Sequence, residues 1–285
     1  MFVLTLSINY MLWAMNKFLL IINGETYRHG PQGSRERGTT ESFELQNFAT
    51  QSHINFIEYV TDKFNLQSDV LLYYYKINEE WDSHFENSYK KYLSHAVGLP
   101  NLLGEIYLHS SLIQFIKNNV NISEYKFVLF IRPDLYLKRY FFEIFNIDED
   151  KIKFAHVNEI TDHLGNSWHE THGYPAVNHQ IFYVPNRFFH NLLNDCIWKN
   201  HYSYPSSLNC GILKEQIGFF LETYHSSSTS NTWNPIFHQV GREETKFWVD
   251  QNFIVDNLTH RPKKVEYDKR YDNLLKNDFT ENYYG

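Results

Sequence analysis

The stretch Tyr125-Lys-Phe-Val-Leu-Phe-Ile-Arg-Pro-Asp-Leu-Tyr-Leu-Lys138 decides the fold of this chain. Phe127 to Ile131 is an unbroken apolar run, the pattern of a strand buried on both faces of a parallel sheet. It runs straight into Arg132-Pro133-Asp134. Proline cannot donate to a sheet ladder, so the strand stops there and Asp134 projects from its carboxyl end. In open α/β sheets ligands bind along that edge. An arginine and a carboxylate placed there suit a phosphate and a metal ion.

Outward from this strand, strands and helices alternate. Residues 17–23 read as a first strand ending at Asn23-Gly24, and 24–42 as a long loop. A helix is expected over Phe43 to Phe64 with Ser42 as its N-cap, then a strand over Asp69 to Tyr75. A polar, irregular region follows to about Pro100. Further on, Leu102 to Val120 reads as helix, Lys126 to Ile131 as the central strand and Tyr140 to Phe145 as a short helix. Strands are expected over Lys153 to Val157 and Gln180 to Val184, separated by a second polar loop at 158–178. Helices are expected over Arg187 to Trp198 and Cys210 to Tyr224, then an irregular tail with a helical stretch near Lys246 to Asn257. With no internal repeat and no linker, this pattern predicts an α/β chain: a single three-layer α/β/α domain with a mostly parallel central sheet. Residues 15–140 would form a nucleotide-binding, Rossmann-type half, and residues 141–285 a second half and tail.

Composition sets the class. The 285 residues are 42% hydrophobic and 21% charged, as in ordinary soluble domains. The net charge is −7 and the basic residues are scattered, which argues against a nucleic-acid partner. Two cysteines, Cys196 and Cys210, are too few for a disulfide framework or a zinc site, consistent with a reducing, cytoplasmic compartment. The 21 Tyr and 23 Phe accompany abundant Asn, Lys and Ile, as AT-rich coding would produce, so they are not by themselves a sugar-stacking signal. The apolar opening is interrupted by Asn9, Asn16 and Lys17, and a spanning helix needs ~20 consecutive apolar residues, so no membrane span is expected. Residues 1–14 read as a dispensable extension before Met15.

Three segments carry chemistry. The loop Gly24 to Gly38 contains Arg28, Arg35 and Arg37. Glycines let backbone amides approach a phosphate, and guanidinium forks match its oxygens. The loop has neither Gly-Lys-Ser/Thr nor GxGxxG; the plain alternative is a solvated surface loop. In the second segment Arg132 would meet phosphate and Asp134 a hard divalent cation, the alternative being an aspartate that caps a turn. The third, residues 156–180, holds five histidines, Asp162 and the run Asn178-His179-Gln180. Its spacing fits no zinc pattern, but a histidine or carboxylate at a strand edge suits a general base. Trp248-Val-Asp250 reads as an ordinary helix face rather than an acceptor-site acid.

Together NGETYRHGPQGSRERG (residues 23–38, followed by Gln46 and Ser52-His53), FIRPDLYLK (130–138) and VNHQIFYVP (177–185) resemble GT-A-type glycosyltransferases. The resemblance is to sugar transferases of large DNA viruses and of bacterial surface-polysaccharide loci, and it covers residues 17–190. FIRPDLYLK takes the place of the family's Asp-x-Asp motif with one carboxylate, Asp134, and His179 stands where relatives carry Asp. The resemblance implies transfer of a sugar from a nucleoside diphosphate donor, UDP-linked by preference, to a glycan or other hydroxyl acceptor, with Mn²⁺ or Mg²⁺. Gly24, Arg28 and Arg35 would hold the nucleotide and Arg132 the phosphate. Asp134 would hold the metal, and His179 or Asp162 would deprotonate the acceptor in an inverting reaction. A viral enzyme of this kind would work in the host-cell cytoplasm. The broken motif also fits a degenerate protein that binds a glycan or nucleotide sugar without turnover. A nuclease or phosphohydrolase is less well matched, because such sites gather several carboxylates around two metals.

Overall fold

The first strand, β1 (Lys17–Glu25), fills the centre of the computed structural model with the apolar run read from the sequence. The structure describes residues 16–29, 36–100, 105–159, 176–177, 180–194, 212, 214–227 and 236–239. After β1 come a two-residue hairpin of β2 (Arg28–His29) and β3 (Glu36–Arg37), helix α1 (Thr40–Phe64) and β4 (Gln67–Tyr75). Next are α2 (Glu79–Ser88), β5 (Leu93–Leu99), α3 (Glu105–Asn119), β6 (Tyr125–Ile131), the short β7 (Leu135–Leu137) and α4 (Arg139–Ile144). The remainder comprises β8 (Ile152–Glu159), β9 (Ala176–Val177), β10 (Ile181–Pro185), α5 (Phe189–Leu193), β11 (Ile217–Ser227) and β12 (Phe237–Gln239).

The main sheet runs β11-β8-β10-β6-β1-β4-β5, with β9 paired to β8. Strands β5, β4, β1 and β6 are mutually parallel, and β11 is parallel to β8; β10 alone along this path runs against both its neighbours, β6 and β8. The expected α/β fold with a mostly parallel sheet is therefore present. Alternation along the strands builds its layers. Phe18, Leu20 and Ile22 of β1, with Phe127, Leu129 and Ile131 of β6, pack on Leu45, Phe56 and Val60 of α1. Leu19 and Ile21, with Val128 and Phe130, face Leu108, Leu112 and Ile116 of α3 and Leu192 of α5. Both faces of the central strands are dry, which is why their sequence reads as a run rather than an alternation. No described helix is long and apolar enough to cross a membrane.

Several expectations change. Helix α1 starts earlier than Phe43: Thr39 is the N-cap, and Ser42 sits at the third position and closes a capping box with it. The supposedly irregular stretch up to Pro100 contains α2 and β5; β5 is a partly exposed edge strand, so its sequence lacks the apolar run that marks β4. The helix expected from Cys210 to Tyr224 is a strand over 217–227, because the open edge of β8 offers unpaired backbone groups that override local preference. Of the helix expected over Arg187 to Trp198, the described residues form a 3₁₀ turn (Asn186–Phe188) and α5, and residues 195–198 lie outside them. The helical stretch near Lys246 to Asn257 and residues 1–14 lie outside the described residues.

Candidate functional site

The sheet order fixes where a site can form. From β1 the chain moves to β4 and β5 on one side, then crosses to β6 on the other side of β1. The carboxyl ends of β1 and β6 thus flank the point where strand order reverses, and the crevice there is the usual ligand site of open α/β sheets.

The β1 side of the crevice is shaped by two residues with positive φ. Gly24 has φ +130°, a conformation open to glycine, and its Cα faces the Pro133 ring. Tyr27 has φ +51°, unusual for a bulky side chain. It is held there from several directions. Its ring stacks on Phe43 at 5.7 Å and meets Trp81 at 5.0 Å, its hydroxyl donates to the Trp81 carbonyl at 2.7 Å, and its N–H donates to Gln46 Oε1 at 3.1 Å. This turn delivers Arg28, whose side chain is 8% exposed, to the wall of the cleft. Arg37, expected from its loop to meet phosphate, instead donates to the carbonyls of Thr26 and Tyr75 and ties β1 to β4.

The β6 side is held by α1. Gln46 Nε2 donates to the Pro133 carbonyl at 2.8 Å, Ser52 Oγ accepts from the Leu137 amide at 2.9 Å, and His53 Nε2 lies 2.6 Å from the Leu135 carbonyl. Residues 46 and 53 are two turns apart, so one helix face grips 133–137. Burial pushes the His53 pKa down to about 4, although the Leu135 carbonyl and the Asp134 charge oppose the shift. The ring is therefore neutral at pH 7. Nε2–H donates to Leu135, and Nδ1 accepts from the Tyr89 hydroxyl at 2.7 Å.

Asp134 occupies the junction of the two sides and is 1% exposed. Its Oδ1 accepts from Arg132 Nε at 3.0 Å, and its Oδ2 accepts from Arg132 Nη2 at 2.8 Å and lies 3.0 Å from Arg28 Nε. Glu25 Oε2 stands 3.7 Å from Arg28 Nη1, beyond hydrogen-bond reach. Arg28 Nη2 is buried with no hydrogen-bond partner among the described residues.

The cleft is lined by Asn23, Gly24, Glu25, Arg28, Tyr75, Leu108, His109, Phe130, Arg132 and Gln180 and encloses about 140 Å³. Ligand pockets usually span ~300–1,000 Å³, so these walls enclose less space than a whole small-molecule site. The structure thus brings together Gly24, Arg28 and Arg132 from the sequence expectations. Arg35, Asp162 and His179 lie outside the described residues. The loop after β8 follows a strand that is separated from β6 by β10. Because β10 is antiparallel, Ile181 pairs with Ile131, and Gln180 enters the cleft beside Arg132. Glu25 and Tyr75 carry no role assigned from the sequence although both end strands on the predicted edge, and Gln180 is marked there only as the end of the run Asn178-His179-Gln180. His109 on α3 carried no sequence signal; its Nδ1 lies 3.5 Å from Asn23 Nδ2.

The expected Mn²⁺ or Mg²⁺ does not fit at Asp134. Three guanidinium nitrogens already crowd its two oxygens. Two unit charges about 4 Å apart interact by about 4 kcal/mol at an effective dielectric constant of about 20, and a divalent ion doubles this repulsion against each arginine. Among the described residues no three His, Cys, Asp or Glu side chains gather into a metal-holding group. Asp134 is an arginine anchor here, not an open cation ligand.

No family model matches the sequence, and no curated protein matches it. Solved structures with a similar chain path include a 4-diphosphocytidyl-2C-methyl-D-erythritol synthase from Anaerococcus prevotii, at 8% identity and TM-score 0.47, covering 84% of this chain and 99% of that one. A glycosyltransferase involved in glycosylation of the major capsid protein of PBCV-1 shows 10% identity and TM-score 0.37, with 84% and 99% covered. The galactosyltransferase LgtC, in complex with donor and acceptor sugar analogues, shows 8% identity and TM-score 0.38, with 71% and 72% covered.

Proposed function

We propose that this chain is a nucleotide-sugar-dependent glycosyltransferase, moving a sugar from a nucleoside diphosphate donor, UDP-linked by preference, to a hydroxyl of a glycan acceptor. One observation carries the proposal: two arginines, Arg28 and Arg132, converge on the buried Asp134 at the strand-order switch point and line its cleft. A switch-point crevice suits a nucleotide, and paired guanidinium groups suit its phosphates. The motif resemblance of residues 23–38, 130–138 and 177–185 supports the sugar-transfer reading.

In the reaction, the bond from the sugar's anomeric carbon to the donor phosphate oxygen breaks, and a bond to the acceptor oxygen forms. The leaving diphosphate gains negative charge, and fixed cations lower the barrier by meeting that charge where it develops. Arg28 and Arg132 take this role. In an inverting reaction the acceptor's proton passes to a base, for which His179 and Asp162 remain the proposed residues.

The test is calorimetry with UDP, GDP and other nucleoside diphosphates, followed by product analysis with the matching nucleotide sugars. Binding with sugar release or transfer supports the enzyme. Binding without turnover supports the degenerate binding protein, and failure of all nucleoside diphosphates to bind at millimolar concentration removes the proposal.

A further inference from the structure

We infer that the Arg28–Asp134–Arg132 unit does the work of a divalent cation, so that the cleft binds a diphosphate group without metal. The inference rests on the nucleotide reading above and specifies how that site holds its phosphates. Where a single carboxylate would ligate a cation, this chain has turned the same carboxylate inward to orient two cations of its own. Arg132 is gripped through Nε and Nη2 by both Asp134 oxygens, and Arg28 is held through Nε. A guanidinium clamped by one edge is fixed in plane and presents its remaining N–H groups in a defined direction. That clamp holds Arg132; Arg28, paired with Asp134 through Nε alone, carries the buried and unpartnered Nη2, on a side chain that lines the cleft and is 8% exposed. An unmade hydrogen bond of a buried charged group is costly, and an anion in the cleft would supply it.

Among the described residues Glu25 is the second carboxylate beside this arginine. Its Oε2 lies 3.7 Å from Arg28 Nη1, and about a third of its side chain is exposed. It is close enough to compete with an incoming phosphate oxygen for Arg28, yet does not bond it. The geometry therefore makes Glu25 an opponent of anion binding, whereas a metal-dependent site would use this carboxylate as a ligand.

The experiment is calorimetry of the full chain with inorganic pyrophosphate and with UDP, in excess chelator and again with Mn²⁺ or Mg²⁺. Both ligands should bind in chelator, with metal changing the dissociation constant by less than about threefold, under one hydrogen bond's worth of free energy. Glu25→Gln should tighten binding, and Arg28→Gln should weaken it by about tenfold or more, the scale of one charge-assisted hydrogen bond. Circular dichroism and a melting curve establish that each variant is folded, and the Glu25 variant decides the matter if Arg28→Gln does not fold. Binding seen only with metal, or lost in Glu25→Gln, overturns the inference while leaving the nucleotide reading intact. No binding of UDP or pyrophosphate under either condition overturns both.

Discussion

Arg28 Nε lies 3.0 Å from Asp134 Oδ2, so one ion pair ties the turn after β1 to the turn after β6 across the point where strand order reverses. Two halves of the cleft that the chain builds far apart in sequence share a single buried carboxylate.

The first prediction follows from that sharing. A strand-end aspartate read from sequence alone would tolerate asparagine, as a residue outside the core. With two guanidinium groups converging on it and 1% exposure, it should not. Asp134→Asn leaves Arg28 buried without its counter-charge, a loss of about 3 kcal/mol for breaking a buried pair. Urea denaturation should show this loss. A change below about 1 kcal/mol, the scale of a surface pair, would mean that Asp134 is not the anchor.

A second prediction concerns pH. His53 has its pKa lowered from 6.5 to about 4 by burial. Protonation is then harder in the folded state than in the unfolded state. Its contribution is present above pH 6.5 and is lost as pH falls from 6.5 towards 4, with a span of roughly 3 kcal/mol at 1.36 kcal/mol per pH unit. The Tyr89 hydroxyl and Leu135 carbonyl that bond the ring are neutral, and the nearby Asp134 charge limits the shift. His53→Asn should be less stable at pH 7 and should lose less stability between pH 6.5 and 4 than the wild type. Parallel slopes for the two proteins would exclude His53 as the source.

A third prediction separates backbone strain from crowding. An added Cβ at Gly24 would meet Pro133 Cδ at 3.4 Å, an ordinary contact, but φ is +130°. Gly24→Ala should therefore cost about 1–3 kcal/mol through the backbone alone. Gly218→Ala is the control: it has no positive φ, and its nearest neighbour is the flexible Lys151 side chain at 3.3 Å. It should change stability by less than Gly24→Ala in the same denaturation series.

The central strands were legible because burial on both faces leaves an unbroken apolar run, and Pro133 marks where β6 must stop. Those two signals place Gly24, Arg28, Arg132 and Asp134 on one edge from the sequence itself. The role of Asp134 was not legible. It depends on Arg28 arriving from a turn whose left-handed Tyr27 is stabilised by Phe43, Trp81 and Gln46, contacts between segments that no local pattern links. The strand at 217–227, where a helix over Cys210 to Tyr224 is expected, is hidden for a related reason: a strand completed by the edge of β8 need not look like one alone. The direction of β10 was equally hidden, since an apolar run says nothing of polarity, and with it the placement of Gln180 in the cleft.

Gln46 yields the last prediction. Its Oε1 accepts from the Tyr27 amide and its Nε2 donates to the Pro133 carbonyl, at 3.1 and 2.8 Å, so one buried amide spans both sides of the cleft without lining it. Gln46→Leu nearly preserves volume but leaves two buried backbone groups unpaired, each costing about 1–3 kcal/mol. Gln46→Glu keeps the acceptor for Tyr27 and loses the donor for Pro133, so it disturbs the Arg132–Asp134 turn more selectively. Both variants should weaken pyrophosphate binding in calorimetry although neither touches the ligand, because each displaces an arginine from its fixed direction. The leucine variant should also melt lower than wild type. A leucine variant that melts lower but binds pyrophosphate with wild-type affinity would restrict Gln46 to the fold and remove it from the positioning of the site.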